Sequence, residues 1–345
     1  MRLAFSPDSL TERVGLKLNK VPVPVGRAFF GMPTARGVGV AQRLGVFREL
    51  AEGGATPTHL AARLGVREPS LRLLLDLLTG ERLLKRSGDE YALSRDGRRW
   101  LDPASPTYVG TFVEHSLEFW DWWGELEHAV RHGGTALQDH TVGPDDPSWP
   151  VYIRGQYELA RLSADEVAKA IRLPHGAKIL DVAGGHGWFA AALAKRHQGQ
   201  ATVFDLPGSV RVGQAIMQET RTTAVRFVEG DMLTDDLGTG YDCALAFSIL
   251  HHLQPEQRTA LLQRIRGALK PGATLAILDM FRPGADEPRV ASGATFALFF
   301  HLTSGADTLS QEELHAHLDA AGFTPPKRRE VRAIPDYRLY TSQAR

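Results

Sequence analysis

The sequence has only one cysteine, Cys243, so no disulfide can close within the chain and a reducing compartment is expected. Net charge is also missing: 40 Lys plus Arg meet 40 Asp plus Glu. Such a balance creates no global field to draw in nucleic acid or an anionic membrane. Long apolar runs are absent as well. The longest near the C-terminus, "ATFALFF" at 294–300, is far too short to span a bilayer. The N-terminal "MRLAFSPDSLTERVG" has no apolar stretch of signal-peptide length, and no internal repeat or low-complexity tract is evident. These absences point to a cytoplasmic protein without a membrane or nucleic-acid partner. What remains is an ordinary globular balance, 43% hydrophobic and 23% charged, over 345 residues, a length that suggests two domains.

The first hundred residues read as helices with one small hairpin. "TARGVGVAQRLGVFREL" (34–50) has apolar positions at helical spacing. A short helix at 56–66 opens on a Thr cap, a leucine-rich helix follows over 68–86, and "SGDEYALS" turns into a β-wing. That order is the outline of a winged helix-turn-helix. The region holds 17 basic against 10 acidic residues, which raises the reading of a DNA-binding regulator. Its recognition helix, "SLRLLLDLLTG" (70–80), argues against it. Only Arg72 could reach a base or phosphate, Asp76 counters it, and six leucines require burial. Residues 106–172 add helices, an aromatic cluster at Phe119, Trp120, Trp122 and Trp123, and a loop at 140–150.

From residue 176 the pattern alternates strands and helices. Strands are expected at 177–183, 201–205, 225–230, 241–247 and 273–280, with helices between them such as 255–270. This is a doubly wound α/β domain with a parallel sheet covered on both faces. A helix at 311–323 and a hairpin at 330–342 end the chain.

The chemistry gathers at the strand tips. In "ILDVAGGHGWFAAALAK" (179–195), Asp181 closes the first strand, and Gly184, Gly185 and Gly187 form a turn before a helix. Glycine there permits positive φ and lets a ligand approach the backbone. Ala190 stands where a dinucleotide site has its third glycine. Twenty positions after Gly185, Asp205 ends the second strand, placed to accept hydrogen bonds from both ribose hydroxyls. Asp231 and Met232 end the third strand, an acid and an apolar side chain suited to the amino group and flat face of an adenine.

The set "LDVAGGHG … FDLP … EGDM … LHHL … LKPGATLAILD" resembles the S-adenosylmethionine-dependent class I methyltransferases, and more narrowly the small-molecule O-methyltransferases of plants and actinomycetes. The resemblance covers nearly the whole chain. It implies a Rossmann-like methyltransferase domain preceded by a mostly helical, winged-helix-like dimerisation domain: residues 1–105 for dimerisation, 106–172 as a helical linker contributing to the acceptor pocket, and 173–345 for the cofactor. It implies a homodimer, with Asp205 on the ribose, Asp231 and Met232 on the adenine, and the turn at 183–187 beside the methionine moiety. Two positions depart from the family. Ala183 replaces a usual glycine, and Phe247 replaces a polar or basic residue and would stack on the base instead. His251 matches the family's catalytic base, and Asp279 matches an acid that supports it. His252, Leu253 and Pro255 replace the Asp-Trp and the further Asp that usually follow, and Thr308 falls where another acid is common.

The expected reaction is methyl transfer to oxygen of a small aromatic or polyketide-like metabolite. The transfer is an in-line displacement in which the protein aligns the nucleophile and excludes water. A histidine titrating near neutrality suits the removal of a phenolic proton. Other readings stay open at this level: a packing role for His251, nitrogen or carbon methylation, a metal held by His251, His252 and His301, or a non-methylation reaction on the same scaffold. The segment 293–302, "GATFALFFHL", is expected to wall the acceptor pocket, with the aromatic cluster at 119–123 chiefly packing helices.

Overall fold

The computed structural model describes residues 6–7, 9–138, 140–283, 291–334 and 337–345. Residues 1–5, part of the stretch read for a leader, and residues 335–336 of the expected C-terminal hairpin lie outside these. The chain forms two compact units, residues 2–118 and 119–345.

The first unit runs α1 (Leu10–Lys17), α2 (Val23–Leu44), α3 (Val46–Ala51), α4 (Pro57–Leu64), α5 (Glu68–Gly80), the antiparallel hairpin β1 (Leu84–Ser87) and β2 (Glu90–Leu93), α6 (Arg95–Trp100) and α7 (Gly110–His115). The single helix expected over 34–50 is two. Gly45 takes φ +84°, a left-handed conformation that ends α2 and begins α3. Thr56 caps α4, accepting from the His59 amide. On α5, Leu71, Leu75 and Leu78 are buried with Phe47, Leu50 and Tyr91, whereas Leu73 is 73% exposed. Arg72 is engaged by Glu68 and Asp89 rather than by Asp76, which accepts from the Tyr91 hydroxyl instead. On α1 and α2, Leu10, Val14, Leu18, Val25, Phe29 and Phe30 lie exposed.

The second unit opens with α8 (Phe119–Gly124), α9 (Leu126–His132), α10 (Ser148–Arg161) and α11 (Ala164–Ala170). Then come β3 (Lys178–Val182), α12 (Trp188–His197), β4 (Gln200–Asp205), α13 (Pro207–Glu219), β5 (Val225–Glu229), β6 (Tyr241–Phe247), α14 (Pro255–Ala268) and β7 (Leu269–Met280). α15 (Ala291–Ser304), α16 (Gln311–Ala320), β8 (Lys327–Arg329) and β9 (Tyr337–Gln343) complete it. The seven-stranded sheet has the order β5-β4-β3-β6-β7-β9-β8. β3 to β7 are parallel; β9 pairs antiparallel with both β7 and β8, so β8 rather than β9 forms the edge.

Both faces of the sheet are covered, and each strand feeds two cores by alternation. Leu180, Val182, Ala244, Ala246, Leu275 and Ile277 face one. Ile179, Cys243, Leu245, Phe247, Ala276 and Leu278 face the other. The chain winds outward through β3, β4 and β5, then crosses to β6 on the far side of β3. The carboxyl ends of β3 and β6 therefore frame a topological switch point, where open α/β sheets hold ligands.

Candidate active site

The loop after β3 is built for close approach. Ala183, in the place of the family's glycine, has φ +54°, and Ser248 after β6 has φ +52°. Both are costly conformations for residues with a Cβ. Each is pinned by a backbone bond, Ala183 N–H to the Phe204 carbonyl and Ser248 N–H to the Leu278 carbonyl, both at 2.8 Å. Gly185 and Gly187 take φ +53° and +68°. A Cβ on Gly184 would fall 2.4–2.9 Å from the carboxyl atoms of Asp181, so a side chain there would clash with that acid. Asp181 is 2% exposed, and its Oδ1 has no hydrogen-bond partner. Burial, with the neighbouring Asp205 adding to it, pushes its pKa up to about 8. An unpaired, buried acid beneath the bare backbone of Gly184 fits a cationic, hydrogen-bonding ligand group at this turn.

Asp205 organises the same turn. Its Oδ2 accepts from the Gly185 amide and its Oδ1 from the Leu206 amide, both at 2.7 Å. Burial raises its pKa, while these two hydrogen bonds oppose the rise. Each oxygen keeps a lone pair for a diol. The Gly230 amide donates to the Asp205 carbonyl and ties the third strand tip to the second. Asp231 is exposed, with Oδ1 accepting from the Leu233 amide, and Met232 is half-buried against the core. Phe247 is 7% exposed and meets Phe189 edge to face at 5.2 Å. The tips of β3, β4, β5 and β6 thus bring Asp181, Gly184, Gly185, Gly187, Asp205, Asp231, Met232 and Phe247 to one edge of the sheet.

His251 lies on the 3₁₀ turn Leu250–His252, just past β6. Its Nδ1 is 2.5 Å from Oδ1 of Asp279, which also accepts from the Met280 amide. A carboxylate only accepts, so Nδ1 donates to Asp279, and Nε2 presents a lone pair whenever the imidazole is neutral. Among the described residues Nε2 has no hydrogen-bond partner. Phe300 stacks on the ring, centroids 3.6 Å apart. Three further ties join this turn and the segment after it to the end of α15 and the loop beyond. His252 Nδ1 meets Ser304 Oγ at 2.6 Å, and Gln254 donates to the Gly305 carbonyl. The buried guanidinium of Arg258 donates to the carbonyls of Leu250 and Asp307, at 2.9 and 2.5 Å. Thr308, where an acid was expected by resemblance, is buried, and its carbonyl and Asp307 take up Arg282 instead.

His301 packs at Gly134, and among the described residues no group of three His, Cys, Asp or Glu side chains converges to hold an ion. The aromatic cluster packs helices: Phe119, Trp122 and Trp123 surround Phe299 of α15 at 4.9–6.0 Å.

Several residues of the site are ones that sequence reasoning missed. Tyr152 is bonded to Gln138 and close to Asp205; burial and that acid push its phenol up to about 12. The ring of His140 stands edge-on to that of His252 at 5.6 Å and near Tyr152 at 5.9 Å. His186, within the glycine turn, accepts from the Trp188 amide and is held down to about 4 by burial. Arg258 alone left a legible signal, a basic residue in the helical stripe of Leu261, Leu262 and Ile265.

The chain matches the sequence model of the O-methyltransferase domain over residues 123–324. It is 28% identical over 318 residues to the N,N-dimethyltransferase OxyT of Streptomyces rimosus, covering 88% of this chain and 92% of that one. It is 31% identical over 260 residues to the tetracenomycin polyketide synthesis 8-O-methyl transferase TcmO of Streptomyces glaucescens, covering 73% and 76%. Among solved structures, human N-acetylserotonin methyltransferase in complex with SAM superposes with a TM-score of 0.80 at 20% identity, covering 99% of each chain.

Proposed function

This chain belongs to the O-methyltransferase domain family, and from that premise we propose that it methylates a hydroxyl oxygen of a small aromatic or polyketide-like metabolite with His251 as general base. It is an S-adenosylmethionine-dependent methyltransferase. The observation that carries the choice of base is the His251–Asp279 contact, which leaves Nε2 free to take a proton. The acceptor class follows relatives such as the tetracenomycin enzyme.

When bound, S-adenosylmethionine supplies an activated methyl group on a sulfonium. Asp205 would hold its ribose, Asp231, Met232 and Phe247 its adenine, and Asp181 with the backbone of 184–187 its cationic end. His251 would accept the hydroxyl proton at Nε2, with Asp279 holding the tautomer and supporting the imidazolium that forms. Phe300 shields the ring face and limits water around it.

We further propose a homodimer through residues 1–105, supported by the exposed apolar residues of α1 and α2, with residues 106–172 lining the acceptor pocket. Nitrogen methylation is the second reading, favoured by the similarity to an N,N-dimethyltransferase over most of the chain. Labelled-methyl transfer to a panel of hydroxyarenes and amines separates the two. Aryl methyl ethers are expected; products labelled only at nitrogen would reject the oxygen reading.

A further inference from the structure

His252 stands beside the base, and its neighbour sets its tautomer. Nδ1 lies 2.6 Å from Ser304 Oγ, and this is the only hydrogen bond of the Ser304 hydroxyl among the described residues. With no other acceptor for the hydroxyl proton among the described residues, the contact is taken as Ser304 donating to Nδ1. Burial, with His251 and His140 nearby, holds His252 far below the ordinary imidazole range, so the ring is neutral at physiological pH. Its one proton is therefore on Nε2. His251 is the mirror case, with its proton on Nδ1 toward Asp279 and a lone pair on Nε2. The two ring centroids are 4.4 Å apart, and among the described residues neither Nε2 has a hydrogen-bond partner. The turn thus offers a hydrogen-bond acceptor and a donor side by side.

We propose that His252 binds the acceptor and selects hydroxyarenes that carry a second oxygen on the neighbouring ring position. The hydroxyl to be methylated meets Nε2 of His251, and the second oxygen accepts from Nε2–H of His252. The proposal rests on the reading of His251 as base. During transfer the hydroxyl proton passes to His251, the oxygen–carbon bond forms as the carbon–sulfur bond breaks, and a neutral thioether leaves. His252 neither gains nor loses a proton. Ser304 is the positioning residue that keeps its donor on the correct nitrogen.

The test is a competition between 2-methoxy-1-naphthol and 4-methoxy-1-naphthol. They are isomers whose methoxy oxygen can only accept. The wild type should favour the 2-methoxy isomer by roughly three- to tenfold in kcat/KM, the worth of one neutral hydrogen bond. His252→Leu should bring the ratio to about one, and His252→Gln, which keeps a donor, should restore part of it. A wild-type ratio near one, or a preference that persists in His252→Leu, overturns the proposal. If neither naphthol is methylated, calorimetric binding to enzyme loaded with S-adenosylhomocysteine must show the same preference, and absence of binding by both rejects the acceptor class. Nitrogen-15 NMR of labelled histidines, with His252→Gln to assign the signal, reads the tautomer without any turnover. A proton found on Nδ1 overturns the proposal. His251→Ala reports separately: if it keeps normal turnover, the reading of the base has failed, whatever the isomer ratio.

Discussion

The ring of Phe300 lies over that of His251, their planes 21° from parallel and their centroids 3.6 Å apart. Asp279 holds one edge of the imidazole while Phe300 covers a face, so the ring cannot turn without losing one contact. α15 in turn is joined to the His251 turn through Ser304. α15 and the turn bearing His251 therefore form one packed body.

Replacing His251 by Ala should lower turnover by roughly 10²–10⁴-fold. S-adenosylmethionine affinity, measured by calorimetry, should barely change. A variant with near-normal turnover would make His251 a pocket wall.

Arg258→Met would remove both donors from a buried position, leaving the carbonyls of Leu250 and Asp307 without that partner. Each unpaired buried acceptor costs about 1–3 kcal/mol. Denaturant unfolding should show a loss of that order, and kcat should fall because the turn bearing His251 loosens. Unchanged stability would contradict the assigned role.

Asp205→Asn can keep only one of the two amide bonds that the carboxylate accepts, from Gly185 and Leu206. Cofactor affinity should drop at least about tenfold, since a hydrogen bond to a charged group contributes about 1.5–3 kcal/mol. The thermal midpoint of the unliganded protein should fall as well. Calorimetry and thermal scanning check the two effects separately.

Asp181 links cofactor and folding to pH. Its pKa is about 8 in the folded chain against 3.8 for an ordinary Asp. Between those values the folded state binds more protons than the unfolded one. Its contribution to stability is thus complete below about pH 4 and is lost as pH climbs to 8. Asp181→Asn should flatten this part of the stability profile. A cation bound beside Asp181 favours its ionised form. Cofactor binding at pH 7 should then release up to about one proton, read by calorimetry in buffers of different ionisation enthalpy, and the variant should release none.

Light scattering at micromolar concentration should give twice the chain mass of 37.9 kDa. Phe29→Glu with Phe30→Glu, at exposed positions of α2, should shift the protein toward monomer. A wild-type monomer would remove the case for a dimer.

The chain's local chemistry was legible in its order of residues. The glycine turn after β3, the acids closing β3 and β4, the Thr56 cap of α4 and the continuous apolar strands all depend on neighbours a few positions away, where backbone freedom and side-chain period leave direct marks. Even there, Gly45 broke a helix that periodicity alone ran through, because the apolar spacing continues across the break. Tertiary structure decided which polar groups meet, only the Asp279–His251 pairing having been expected, and that by resemblance. Asp279 reaches His251 across 28 positions, Arg258 reaches Asp307 across 49, and Ser304 reaches His252 across 52. Nothing in the residues between encodes those pairings; they follow from β6 lying beside β7 and from α15 folding back over the turn. Two adjacent histidines, identical in the sequence, meet chemically different distant partners, a carboxylate at Asp279 and a hydroxyl at Ser304.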